Sequence, residues 1–157
     1  MKKNNDSLFY TCSLIEYISR ITKNCPKTVI SFLGEYLKKI YNYADIFHCE
    51  PIEKVADDFI QKCNITNGNF DNITNSKYSI PDYWDIGEVF ARLIEDSYDD
   101  KDVIMGIKNV YNSWIAEKIL NFNSDLYYQS REYIALSYKE GKKGFSTYEI
   151  TEVFELD

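Results

Sequence analysis

The chain has 157 residues, of which 45% are apolar and 27% charged, with a mean hydropathy of −0.41 and a formal net charge of −7. These are globular proportions, at a length where folding removes roughly 70% of the unfolded chain's surface from water, so a core can form without disulfide or metal staples. The acidic balance argues against direct binding of a phosphate backbone, and no apolar run reaches the roughly eighteen residues of a membrane span.

Residues 1–6, MKKNND, lead into an amphipathic stretch containing Glu16 and Arg20, not into the uninterrupted apolar region of a signal peptide, so a cytoplasmic protein is expected. From Leu8 to Ile21 the apolar positions are too many for one narrow stripe, which predicts a helix buried on several sides. Asn24-Cys25-Pro26 restarts the chain with proline at a first helical position, and Val29, Ile30, Phe32 and Leu33 follow before Gly34. Glu35 to Phe47 predicts a third short helix, with Leu37, Ile40, Tyr41 and Ala44 on one face. Glu50 stands at the cap of a fourth, Pro51 at its first position and Glu53 in its first turn, where an acid favours the helix dipole. Ile52, Val55, Ala56, Phe59 and Ile60 then recur at helical intervals.

His48, the only histidine, therefore falls with Cys49 in the connector between two helices. Adjacent His and Cys are an awkward bite for a tetrahedral ion, and Cys12, Cys25 and Cys63 supply no metal-ligand spacing. A nucleophilic Cys49 would need a base, and the neighbouring imidazole normally points elsewhere. The expectation is a His that packs or caps locally, four free thiols, no metal and no cofactor.

Three stretches together, LFYTCSLIEYI from Leu8 to Ile18, KKIYNYADIFH from Lys38 to His48 and IEKVADDFI from Ile52 to Ile60, resemble a family of small bacterial helical proteins of uncharacterised function. The family pattern is an apolar-Glu-Tyr helix, a Tyr-x-x-x-Asp-x-x-His connector and an acidic helix ending in an aromatic, matched here over residues 8–63. Its members are often encoded beside toxin-like proteins with an ADP-ribosyltransferase-like fold. The resemblance implies a small accessory or antitoxin-like partner and carries over no catalytic residue, while some ninety residues of this chain lie beyond it.

Residues 64–81, NITNGNFDNITNSKYSIP, contain five Asn and an Asn67-Gly68 turn signal and read as a connecting loop. Beyond it, Trp84, Ile86, Val89, Phe90, Leu93 and Ile94 give one apolar face up to Ser97. Asp102 to Leu120 predicts a second helix, with Ile104, Ile107, Tyr111, Trp114 and Ile115 at helical spacing and Gly106 at a close contact. Asn123-Ser124-Asp125 caps a last helix from Leu126 to Glu140, closed by Gly141. The fold expected is all-α in two small subdomains: four short helices in residues 1–63, then a three-helix antiparallel bundle in residues 82–141. In the tail, residues 142–157, alternation of Tyr148, Ile150, Phe154 and Leu156 favours a short strand over the helix that the Ser146-Thr147-Tyr148-Glu149 capping box would start.

Residues 1–63 hold nine Lys and Arg against eight Asp and Glu, whereas residues 82–157 hold eight against sixteen. The densest stretch, EDSYDDKD, places Glu95, Asp96, Asp99, Asp100 and Asp102 around Tyr98 between two predicted helices. These six residues are the candidate partner-binding site, although such a run can equally be a solvated turn. Fourteen Tyr and nine Phe exceed what a domain of this size buries, so several tyrosines are expected at the surface, where tyrosine is common at protein contacts.

No glycine-rich phosphate loop, EF-hand spacing or catalytic carboxylate dyad is present, and Glu88 with Arg92 reads as an ordinary surface pair. No catalytic residue is assigned. Two functions are expected from this pattern: a non-catalytic acidic module that binds another protein with a basic surface, or a nucleic-acid-mimicking inhibitor of a nuclease or similar enzyme. Phosphate imitation needs carboxylates aligned on one face, whereas a protein interface centres on apolar and Tyr side chains with acids at its rim.

Overall fold

The computed structural model describes residues 5–142, and all of the secondary structure in them is helical. The expected C-terminal strand lies outside the described residues. No helix among them is long and apolar enough to cross a membrane.

The first helix, α1 (Asn5–Thr22), is the axis of the molecule. Leu8, Tyr10, Cys12, Leu14, Ile15 and Ile18 are all buried, as the width of its apolar surface requires. Two of its buried hydroxyls bond to the backbone, that of Thr11 donating to Ser7 O at 2.7 Å and that of Thr22 to Ile18 O at 2.7 Å. The helix ends where Lys23 turns left-handed at φ 55°, and the Asn24 amide ties the turn to Thr22 Oγ1 and Thr66 O.

Helix α2 (Pro26–Leu33) starts on proline and stops at Gly34, whose φ of 55° suits a residue without Cβ. The third expected helix is two, α3 (Tyr36–Asn42) and α4 (Ala44–Phe47), because Tyr43 at φ −116° and ψ 24° leaves the helical region. In α5 (Ile52–Lys62), Pro51 is the cap itself and Ile52 the first helical residue, one position later than the sequence suggests. Ile52, Val55, Ala56 and Phe59 form its buried face.

Residues 64–81 form no helix but are pinned to the body. Gly68 N donates to Thr22 O at 2.8 Å and Phe70 N to Lys23 O at 2.9 Å, while Asn72 Nδ2 reaches Leu120 O at 2.7 Å. Helix α6 (Tyr83–Ser97) opens on Asp82, whose carboxylate accepts from Asp85 N at 2.8 Å.

The most extensive helix pairing is that of α6 with α1. Gly87 makes it possible: a Cβ there would stand 2.8 Å from Ser13 Cα and 2.9 Å from Ser13 N. Because α1 and α6 come from opposite sides of the connector, the two expected subdomains share one hydrophobic cluster, which runs from Leu8 to Tyr138.

The second half also has more breaks than its apolar periodicity suggests. A 3-10 turn (Asp100–Asp102) precedes α7 (Val103–Tyr111), and α8 (Trp114–Leu120) follows a break at Asn112-Ser113. There the Ser113 hydroxyl donates to Val110 O at 2.6 Å and Asn112 Nδ2 to Lys108 O at 2.8 Å, so side chains compete for the groups that would have continued the helix. The last expected helix begins five residues late: Leu126–Tyr128 is a 3-10 turn, Gln129 is extended, and α9 (Arg131–Lys142) starts after Ser130, whose Oγ accepts from Tyr133 N at 3.2 Å. The expected three-helix bundle is thus four helices and two 3-10 turns.

Candidate functional site

Five acids were expected to share one exposed turn, and the structure divides them. Arg131 of α9 reaches back to the end of α6. Its Nε donates to Asp96 Oδ2 at 2.7 Å, and its Nη2 to Asp96 Oδ1 at 2.8 Å and Glu95 Oε1 at 2.5 Å. Two parallel bonds to one carboxylate make a fork geometry that fixes α9 against α6. Hydrogen bonding to Asp96 raises the guanidinium further above its ordinary pKa.

Tyr98 turns inward. Its ring covers Gly106 of α7, where a Cβ would come within 2.7 Å, and its hydroxyl meets that of Tyr138 at 2.6 Å. Burial, helped by this contact, holds the Tyr138 hydroxyl above the usual tyrosine range. Of the six candidates, Asp96, Asp99 and Asp100 are exposed and Asp102 is half-buried; Asp96 is held by Arg131, and the other three lie on or beside the 3-10 turn. Met105, 50% exposed, follows one helical turn after Asp102. The exposed apolar side chain at this turn is therefore Met105, close in sequence to the three carboxylates, while Tyr98 is half-buried.

His48 caps the C-terminus of α4 and is exposed, with its ring 5.1 Å from Tyr10 and 6.1 Å from Trp84 between centroids. Cys49 is exposed and its Sγ approaches Asp45 O at 3.5 Å. Among the described residues no three His, Cys, Asp or Glu side chains converge as a metal site would need. Glu88 and Arg92 pair at 3.1 Å, both about half exposed.

A second group was not singled out from the sequence. Glu16, 2% exposed in the middle of α1, accepts a hydrogen bond from the Tyr111 hydroxyl of α7 at 3.0 Å. Burial raises its carboxyl to about 8, against smaller opposing effects of Tyr111 and Arg20. The fully buried Cys12 thiol lies against the same hydroxyl, and burial raises both the thiol and the phenol well above their usual ranges. Tyr111 also stacks on Phe90 with centroids 4.2 Å apart, so the ring is held on two sides. Its outer edge forms part of a cleft of about 320 Å³ between the start of α2, the Asn-rich connector and α8. The signal for this group was present in α1: in a helix apolar on nearly every side, a glutamate has no solvent face to occupy.

The chain matches no family model, and no curated protein or solved structure shows significant similarity to it.

Proposed function

We propose that the protein is a non-catalytic acidic module that binds another protein with a basic surface, through Tyr98, the Asp100–Asp102 turn and the first turn of α7. The observation that supports this most is the role of Arg131. By holding Glu95 and Asp96 it leaves Asp99, Asp100 and Asp102 outside the fork, next in sequence to the half-buried Tyr98 and the exposed Met105. Apolar and tyrosine contacts with charges at the edge are the composition of a protein interface. Imitation of a nucleic acid asks for a longer aligned row of unpaired carboxylates, and two of the five are already taken. The resemblance of residues 8–63 to proteins encoded beside toxin-like partners supports an accessory or antitoxin-like role, with the acidic turn meeting a basic face of the toxin.

The test compares immobilised wild-type protein with the triple variant Asp99→Asn, Asp100→Asn, Asp102→Asn and with a charge-matched control, Asp45→Asn, Asp57→Asn, Asp58→Asn, in a lysate of the native host. A basic protein retained by wild type and control but lost by the first variant supports the reading. Equal retention by all three contradicts it, and retention of a nuclease that DNA displaces favours the mimic.

A further inference from the structure

The cleft above Tyr111 is walled by Phe70, Ala116 and Leu120, with Lys27, Glu117 and Cys25 at its edge. Its volume of about 320 Å³ falls at the small end of the roughly 300–1,000 Å³ of small-molecule sites. Both sides of the cleft are held in place. The floor is fixed because Tyr111 is bonded to Glu16 and stacked on Phe90. The roof is fixed because Asn72 Nδ2 bonds Leu120 O, and Asn123 clamps the connector through Asn75 O at 3.1 Å and Lys77 N at 2.7 Å. A cleft held open in this way needs little ordering on binding.

The charges around it select against ions. Lys27 and Glu117 face each other at 4.0 Å, so the mouth presents both signs together. The Asp71 carboxylate is turned into its own loop, where it accepts from Ile73 N at 2.9 Å and Thr74 N at 3.0 Å. What remains is a mainly apolar slot with one accessible aromatic ring, Phe70, and the polar side chains of Asn75, Ser76 and Asn121 in its lining, at a size for one ring or a fused pair. We infer that this cleft binds a small uncharged aromatic molecule, stacked or edge-on against Phe70.

Phenol and indole serve as neutral probes, with benzoate and benzylamine as charged counterparts of similar size. Binding to the full chain is followed by NMR titration and by the rate at which a maleimide labels Cys25 in a Cys49→Ser, Cys63→Ser background. Cys25 lines the cleft and is half-buried, so an occupant shields it. At least one neutral probe is expected to saturate a single site, slow the labelling several-fold and bind about tenfold more tightly than either ion. Ala116→Leu, which fills the slot, is expected to weaken that probe by about tenfold or more. Should that variant not fold, the Cys49→Ser, Cys63→Ser protein alkylated at Cys25 replaces it, with the same expected loss. The inference fails if no neutral probe saturates, if the ions bind equally well, or if filling the cleft by either route leaves binding unchanged.

Discussion

Tyr111 donates its hydroxyl hydrogen to Glu16 at 3.0 Å, joining α7 to the middle of α1 across 95 positions of sequence. A carboxyl placed there is better tolerated neutral than charged. Between its ordinary 4.5 and the value of about 8 that burial imposes, the folded chain retains a proton that the unfolded chain releases. The Glu16 contribution to stability is therefore complete below about pH 4.5, declines as pH rises towards about 8, and is lost above it. Glu16→Gln keeps an acceptor for Tyr111 without the titration. Its melting temperature is expected to match wild type near about pH 5 and to exceed it near about pH 9, by the equivalent of a few kcal/mol. Parallel melting profiles across a pH series would show that Glu16 does not titrate in this way.

Gly87 sets how closely α6 approaches α1. A methyl group at this position meets the Ser13 backbone, which cannot rotate aside. Gly87→Ala is expected to destabilise the protein by about 2 kcal/mol or more, despite alanine's better helix propensity. Urea denaturation measures it, and an unchanged or higher midpoint would mean that the two helices are not in backbone contact.

The helical class and the wide burial of α1 were legible in the sequence because they depend on the number and spacing of apolar residues such as Leu14, Ile15 and Ile18. The start at Pro26 was legible for a local reason, since proline is favoured at the first helical position. The breaks at Tyr43, at Asn112-Ser113 and at Gln129 were not, because no Gly or Pro marks them and the apolar spacing runs on across each. Nor was the division of the acidic segment. That Arg131 would fold back on Asp96 depends on where α9 starts, and its start was itself misplaced by five residues. Glu16 was visible as an exception to an apolar pattern, but its partner Tyr111 could come only from the packing of α7.

Trp114 shows the same dependence on boundaries. Read as the middle of a long helix, it would be a core residue whose truncation costs several kcal/mol. As the first residue of α8 it is half-buried, packed with Nε1 close to where a Cβ on Gly141 would stand. Trp114→Ala is expected to lower stability by about 1 to 3 kcal/mol, against about 3 to 5 for a fully buried aromatic such as Phe90. Thermal melts of the two variants rank them, and equal losses would contradict the placement of Trp114.

The fork of Arg131 on Asp96 and Glu95 is a tertiary contact, whereas Arg92 with Glu88 is a pair within one helix. Arg131→Ala is expected to cost about 1 to 2 kcal/mol and Arg92→Ala at most about 0.5. Chemical denaturation of both variants at the same pH compares them directly; a larger loss for Arg92 would overturn the assignment of Arg131 as the anchor of α9.

The proposed role as a binding module for a basic protein rests on the three acids that Arg131 leaves available. The most direct measurement is the association rate and affinity of the captured partner for wild type and for the Asp99→Asn, Asp100→Asn, Asp102→Asn variant, at low ionic strength and at physiological salt, where screening acts beyond roughly 8 Å. The variant is expected to bind more weakly, with most of the loss in the on-rate and the largest difference at low salt, while its melting temperature is unchanged or slightly raised. An affinity indifferent to both the substitutions and the salt would contradict this, and would leave the segment as a solvated turn.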